Sequence, residues 1–91
     1  MTWLAEIRVL LKQSVNDPQG LSIRGALHSL GFSAVEDVRA GKLLQVRLET
    51  DGRAEAEAQV ERMCQQLLAN PVIETYSFEL APAADPALPQ G

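Results

Sequence analysis

The dipeptide Asp17-Pro18 constrains this chain most, because it fixes where a helix starts. An aspartate side chain accepts the free N–H groups of a first helical turn. Proline at the first helical position gives up an N–H that has no partner there in any case. Gly20 stands where a capping-box glutamate would, so the box itself is missing. The helix is predicted to run to Leu30 and stop at Gly31, a residue that tolerates the left-handed closing conformation, with Phe32 placed for a contact back to Leu27. At ~100° per residue Ile23, Ala26, Leu27 and Leu30 share one face, predicted to be the core face. Leu21, Gly25 and His28, with Arg24 beside them, share the opposite side. A mid-helix glycine costs ~1 kcal/mol against alanine. That side reads either as a second contact surface, where Gly25 lets a backbone approach, or as an ordinary solvated face.

Strand patterns flank this helix. Trp3, Ala5, Ile7, Val9 and Leu11 alternate with Thr2, Leu4, Glu6, Arg8 and Leu10, so the odd positions form a core face. A sheet covered by helices on one side is cleanly polar on the other. Leu4 and Leu10 break that rule, and they read either as a face that something covers, such as another subunit, or as scattered surface leucines. After Gly31, residues 35–39 read as short and extended, and Ala40-Gly41 as a tight turn or bulge. Lys42 to Thr50 is predicted as a strand with Leu44, Val46 and Leu48 inward and Leu43 on the polar side. Asp51 is the expected cap of a second helix whose stripe is Ala56, Val60, Met63, Cys64 and Leu67. Asn70-Pro71 ends it. Val72 to Leu80 is the last strand, with Val72, Tyr76, Phe78 and Leu80 on one face. The stretch 81–91, APAADPALPQG, has no periodic pattern and reads as a flexible tail behind a single domain of residues 1–80. The order β-α-β-(β)-α-β predicts an α+β two-layer sandwich of ferredoxin-like type, two helices on one face of a mainly antiparallel sheet.

Charge and composition then exclude classes. A net charge of -4 and a pI near 4.8 disfavour a nucleic-acid partner. No apolar run is long enough to span a bilayer. The N-terminus carries no signal-peptide pattern, and a cytoplasmic location is expected. Cys64, the single cysteine, rules out an internal disulfide and any cysteine-based zinc site. No basic neighbour activates it, so it reads as core filler.

No spacing builds an active site. His28 is the single histidine, and nothing in the pattern brings a nucleophile or acid to it. Glu36 and Asp37 are adjacent and point to opposite faces of an extended segment. Gly41-Lys42 lacks the preceding glycine of a phosphate loop. Arg24, Arg39 and Lys42 can hold a phosphate or carboxylate, or pair with Glu36, Asp37 or a partner protein. A self-contained enzyme is therefore disfavoured. A small ligand-binding regulatory domain of ferredoxin-like type stays open as the alternative.

Four runs in order carry a resemblance. They are D-P-Q-G at Asp17 to Gly20, A-L-x-x-L-G at Ala26 to Gly31, V-x-x-V-R-x-G-K at Val35 to Lys42 and N-P-V-I-E-x-Y at Asn70 to Tyr76. Together they resemble the PurS family, the small subunit of bacterial phosphoribosylformylglycinamidine synthase, over residues 3–80. The resemblance implies a non-catalytic dimer or tetramer in purine synthesis. Such a subunit bridges a glutaminase subunit, PurQ, and a large synthetase subunit, PurL, and supports ammonia transfer between them. ATP and magnesium are used by PurL, and no cofactor, metal or catalytic residue is assigned to the small subunit. The partner-facing surface is expected at the Arg39-Gly41-Lys42 turn, the Asn70-Pro71-Glu74 corner and His28. The oligomer interface is expected at Leu4, Leu10 and Leu43.

Overall fold

The computed structural model describes residues 1–83. Strict alternation buries Trp3, Ala5, Ile7 and Val9 on one face of β1 (Thr2–Leu11). Strand β1 is the middle of a three-stranded antiparallel sheet, between β2 (Gly41–Glu49) and β3 (Glu74–Pro82). Its register sets Ile7 between Leu44 and Phe78, and Ala5 between Val46 and Leu80. Helix α1 (Pro18–Ser29) joins β1 to β2. Helix α2 (Arg53–Met63) continues into a π-helical turn, Cys64–Leu68, before β3. The helices lie on one face of the sheet, giving an α+β sandwich consistent with the ferredoxin-like type. Residues 35–39 make no ladder, so the bracketed extra strand does not form.

The core is the seam between α2 and the sheet. Ala56, Val60 and Cys64 are buried against the inner side chains of β1, with Leu80, Tyr76 and Phe78 from β3. The expected stripe holds as far as Cys64 and then fails at Leu67, which is 82% exposed. The π turn is the reason: the Ala69 N–H reaches the Cys64 carbonyl, five residues back, at 3.0 Å. One residue is inserted into the turn, so Leu68 and Ala69 take the inward places and Leu67 swings out. The Tyr76 hydroxyl donates to Glu61 at 2.7 Å and ties this end of α2 to β3.

Three boundaries differ from the sequence pattern. Helix α2 is capped by Gly52, not Asp51, and no side chain caps it; Thr50 instead donates its hydroxyl to the Gly52 carbonyl. Val72 stays out of β3, because the N–H groups of Ile73 and Glu74 both turn back onto the Asn70 carbonyl. At its other end β3 runs past Leu80 to Pro82, opposite Trp3. Of the expected tail, residues 84–91 lie outside the described residues.

Helix α1 departs most from expectation. Its start and stop are as the sequence dictates. Asp17 caps it, and Gly31 closes it at φ 99°. The Gly31 N–H meets the His28 carbonyl and the Phe32 N–H the Leu27 carbonyl, the bond pair of a Schellman ending. The face predicted as core is bare: Leu30 is 74% and Ile23 39% exposed. Gly20 is the helix's buried residue. The Cα radius of gyration, 16.8 Å, exceeds the ~12 Å of a compact chain this long.

Ile7 touches both flanking strands and has no exposure. Ile7→Ala is expected to cost about 2–5 kcal/mol in urea unfolding. Leu67→Ala is expected to change stability by less than about 0.5 kcal/mol, because the π turn leaves that side chain in water.

Candidate partner-facing surface

Asp17 begins more than a helix. Its carboxylate accepts the Gly20 N–H at 3.0 Å through Oδ1 and the Ala40 N–H at 2.8 Å through Oδ2. One carboxylate thereby joins the first turn of α1 to the segment leading into β2. Gly20 lies so close to that segment that a Cβ there would stand 2.1 Å from the Val38 carbonyl oxygen. The sequence reading had Arg39 reaching outward to a partner. Its guanidinium instead donates to the Val15 carbonyl at 2.7 Å and the Gln13 carbonyl at 2.9 Å. It closes the loop between β1 and α1, with Asp37 3.7 Å from its Nε. The Asp17 carboxyl is held below its ordinary value by the Gly20 and Ala40 N–H groups and, less strongly, by Arg39.

This clasp sets one end of the sheet. Gly41 pairs with Leu10, and a Cβ on it would meet the Val9 carbonyl oxygen at 2.2 Å, so the turn requires glycine. Gly41, Lys42 and Glu74 line one shallow depression with Gln19 from α1 and Leu11 from β1. Asn70 borders it: its N–H donates to the Glu74 carboxylate at 2.7 Å, and its side-chain oxygen accepts the Val72 N–H at 3.0 Å. The sequence-expected turn and corner therefore meet at one place. His28 does not join them. It sits near the other end of α1, where Nε2 is 2.7 Å from the Val35 carbonyl and, as an N–H, donates to it.

The outer sheet face carries the three expected leucines. Leu10 is 44% and Leu43 58% exposed, and both line a shallow hollow with Arg8, which pairs with Leu43 across the ladder. Leu4 lies farther along the same face and is half-buried. Sequence reasoning missed the clasp's second half. Asp17 was legible as a cap, but no local signal showed that its other oxygen serves Ala40, 23 residues on.

The arrangement offers contact rather than chemistry. Burial and the nearby Glu61 carboxylate push the Cys64 thiol up, away from a nucleophile's range. Among the described residues, no group of three histidine, cysteine or acidic side chains could hold a metal ion. No helix among them is long and apolar enough to cross a membrane.

Comparison with known proteins identifies a family. The family model for PurS, phosphoribosylformylglycinamidine (FGAM) synthase, matches residues 4–82. The PurS subunit of Synechocystis is 46% identical over 74 residues, covering 81% of this chain and 74% of that protein. The crystal structure of Bacillus subtilis PurS superposes with a TM-score of 0.77 at 42% identity, covering 87% of this chain and 98% of that one. A chain of the Thermotoga maritima PurLQS structure superposes at 0.82 with 28% identity, covering 89% of this chain and 99% of that one.

The clasp predicts a pH dependence with a definite sign. A carboxyl whose folded pKa is depressed stabilises the fold above its unfolded value and loses that effect as pH falls through the folded value. The stability from Asp17 is thus complete at neutral pH and declines below pH 3.8. Thermal unfolding of wild type and Asp17→Asn is expected to differ most at neutral pH and to converge as the pH drops below that point.

Proposed function

This chain belongs to the PurS family of phosphoribosylformylglycinamidine synthase subunits, and from that membership we propose that it works as the non-catalytic small subunit of that complex in purine biosynthesis. It bridges the glutaminase subunit, PurQ, and the synthetase subunit, PurL, and supports passage of ammonia between them. PurL uses the ATP and magnesium, and no cofactor role is assigned to this chain. It works in the cytoplasm as a homodimer or homotetramer. The observation that carries this reading is the match across residues 4–82, nearly the whole described chain. The likeness to a chain of a PurLQS structure adds to it.

The geometry supports a choice of contact surfaces. The depression of Gly41, Lys42 and Glu74, bordered by Asn70, faces a partner subunit. Arg39 holds the shape of that surface through the Val15 and Gln13 carbonyls, and His28 extends it at the far end of α1. Leu4, Leu10 and Leu43 on the outer sheet face meet another copy of the chain. An exposed leucine pair beside an arginine suits such a face, because interface centres are richer in apolar side chains and arginine than in other charges.

Reconstitution tests the reading. Synthetase and glutaminase without this chain are expected to lose glutamine-dependent synthesis while keeping synthesis from ammonium salt. Addition of the wild-type chain is expected to restore the glutamine route; failure to restore it would sink the bridging role. Lys42→Glu is expected to raise the concentration of chain needed for half-maximal restoration about tenfold or more, as loss of an interface anchor worth about 1.4 kcal/mol does.

The outer face has its own test. Leu10→Glu places a charge on the leucine surface and is expected to shift sedimentation toward smaller species. An unchanged mass for the variant would rule this face out as an oligomer contact.

A further inference from the structure

The sequence pattern gives Asp51 the cap of α2, and the structure leaves its carboxylate without that task. Gly52 takes the cap position, and no side chain caps the helix. Among the described residues no hydrogen bond or ion pair holds the Asp51 carboxylate. Asp51 and Gly52 lie between the end of β2 at Glu49 and the start of α2 at Arg53. Asp51 is exposed and lines an open depression with Glu49, Thr50, Glu55 and Gln59. The Gly52 backbone is extended, at φ -162° and ψ 171°. Beyond its chain neighbours, nothing comes within 4 Å of where a Cβ on it would stand. Its N–H precedes the helix and has no partner in the helical ladder. A free carboxyl stands beside an unhindered amide nitrogen.

The sequence holds no second pair of this kind. Asp17, Asn70 and Asp85 precede proline, whose nitrogen carries no hydrogen. Asn16 precedes Asp17 and Asp37 precedes Val38, so a side chain crowds each of those nitrogens. Asp37 also lies 3.7 Å from the Arg39 Nε.

We propose that Asp51 is a modification site, isomerising spontaneously in the folded chain through a cyclic imide with the Gly52 nitrogen. That nitrogen gives up its proton and bonds to Cγ of Asp51, and a carboxyl oxygen leaves as water. Water then adds back to either carbonyl of the ring. Addition at Cγ restores aspartate. Addition at the main-chain carbonyl gives isoaspartate, whose chain runs through Cβ and Cγ and whose former main-chain carbonyl is now a carboxylate. Mass and charge are unchanged, but the backbone is one atom longer. The site lies where that atom matters. The Thr50 hydroxyl donates to the Gly52 carbonyl at 2.8 Å, and the Thr50 N–H to the Met1 carbonyl at 3.0 Å. The Gly52 carbonyl also accepts the Ala56 N–H at 3.1 Å, the bond that opens α2. Ala56 is fully buried in the core seam. A longer link between Thr50 and Gly52 pulls these partners apart and loosens the first turn of α2. The isoaspartyl carboxylate is the group that S-adenosylmethionine-dependent protein carboxyl methyltransferases take, so an enzyme of that class can recognise the aged chain.

The test ages the full chain at neutral pH and physiological temperature for several weeks. Trypsin then releases the peptide from Leu48 to Arg53, and electron-transfer fragmentation distinguishes its isomers. A free peptide of the same residues is aged beside it. Isoaspartate at residue 51 is expected to accumulate in the folded chain within a few-fold of the free-peptide rate. Residue 37 is expected to react about tenfold more slowly, because a β-branched neighbour crowds the nitrogen. Gly52→Ala fits the extended backbone without a clash, and its Cβ is expected to slow the reaction several-fold. A folded chain whose Asp51 stays unchanged while the peptide isomerises would overturn the proposal. Equal rates at Asp51 and Asp37, or in Gly52→Ala and wild type, would do the same. The melting temperature of aged wild type is expected to fall in proportion to its isoaspartate, while aged Gly52→Ala holds its starting value. Isomerised chain that melts unchanged would overturn the loosening of α2.

Discussion

The carboxylate of Asp17 is the contact on which the arrangement of this molecule depends. The sheet and α2 have a core of their own, but α1 has almost none. What locates it is a pair of hydrogen bonds that one carboxylate accepts from backbone N–H groups of two segments, and a glycine that lets those segments touch. Arg39 reinforces the same place from the other side by tying down the loop that leads in. The polar contacts are local, yet they govern the direction of a whole helix. A bond to a charged acceptor is stronger than one between neutral groups, which suits a joint that must hold without packing behind it.

The parts of this fold that the sequence made legible are those set by neighbours in the chain. Alternation in β1 and the helical spacing of Ala56, Val60 and Cys64 translated directly into burial. Asp17-Pro18 and Gly31 marked the ends of α1 within a residue. Periodicity failed where burial depends on something else. Ile23 and Leu30 have core spacing, but spacing says which residues share a face and not whether anything covers it. Leu67 was lost to a π turn, which shifts the helical phase and has no signal in residue type. At the candidate surface, the sequence separated the Gly41-Lys42 turn from the Asn70–Glu74 corner, and only the ladder register brings them together beside the end of β1. Arg39 looked like a free anchor because the carbonyls it binds belong to a loop 24 and 26 residues earlier.

The described residues offer surfaces rather than a metal cluster or an activated thiol. The sandwich here leaves much of its apolar side-chain surface in contact with water, on α1, on the outer face at Leu10 and Leu43, and at Leu67 and Val72. Single exposed apolar residues are ordinary on a monomer, but several groups of them on so small a body are a property of a subunit. The ion pairs do not offset this. Arg8–Glu79 and Arg53–Glu57 are exposed pairs, which are worth little in water.

The place of β1 has a consequence for how the chain acquires its structure. The strand at the centre of the sheet comes before both of its neighbours in the chain. Thr2 waits for Glu49, and Leu11 waits for Glu74. During synthesis the most apolar strand therefore emerges with no sheet partner, and its last ladder closes only when nearly the entire sandwich has been made. Pairing over such separations folds slowly, and an unpaired apolar strand is a template for the wrong partner. Helix α1 suffers no such delay, because its cap and its stop lie within a few residues of it. The element with the weakest core is thus the one able to form first, and the strand that anchors the core is completed last.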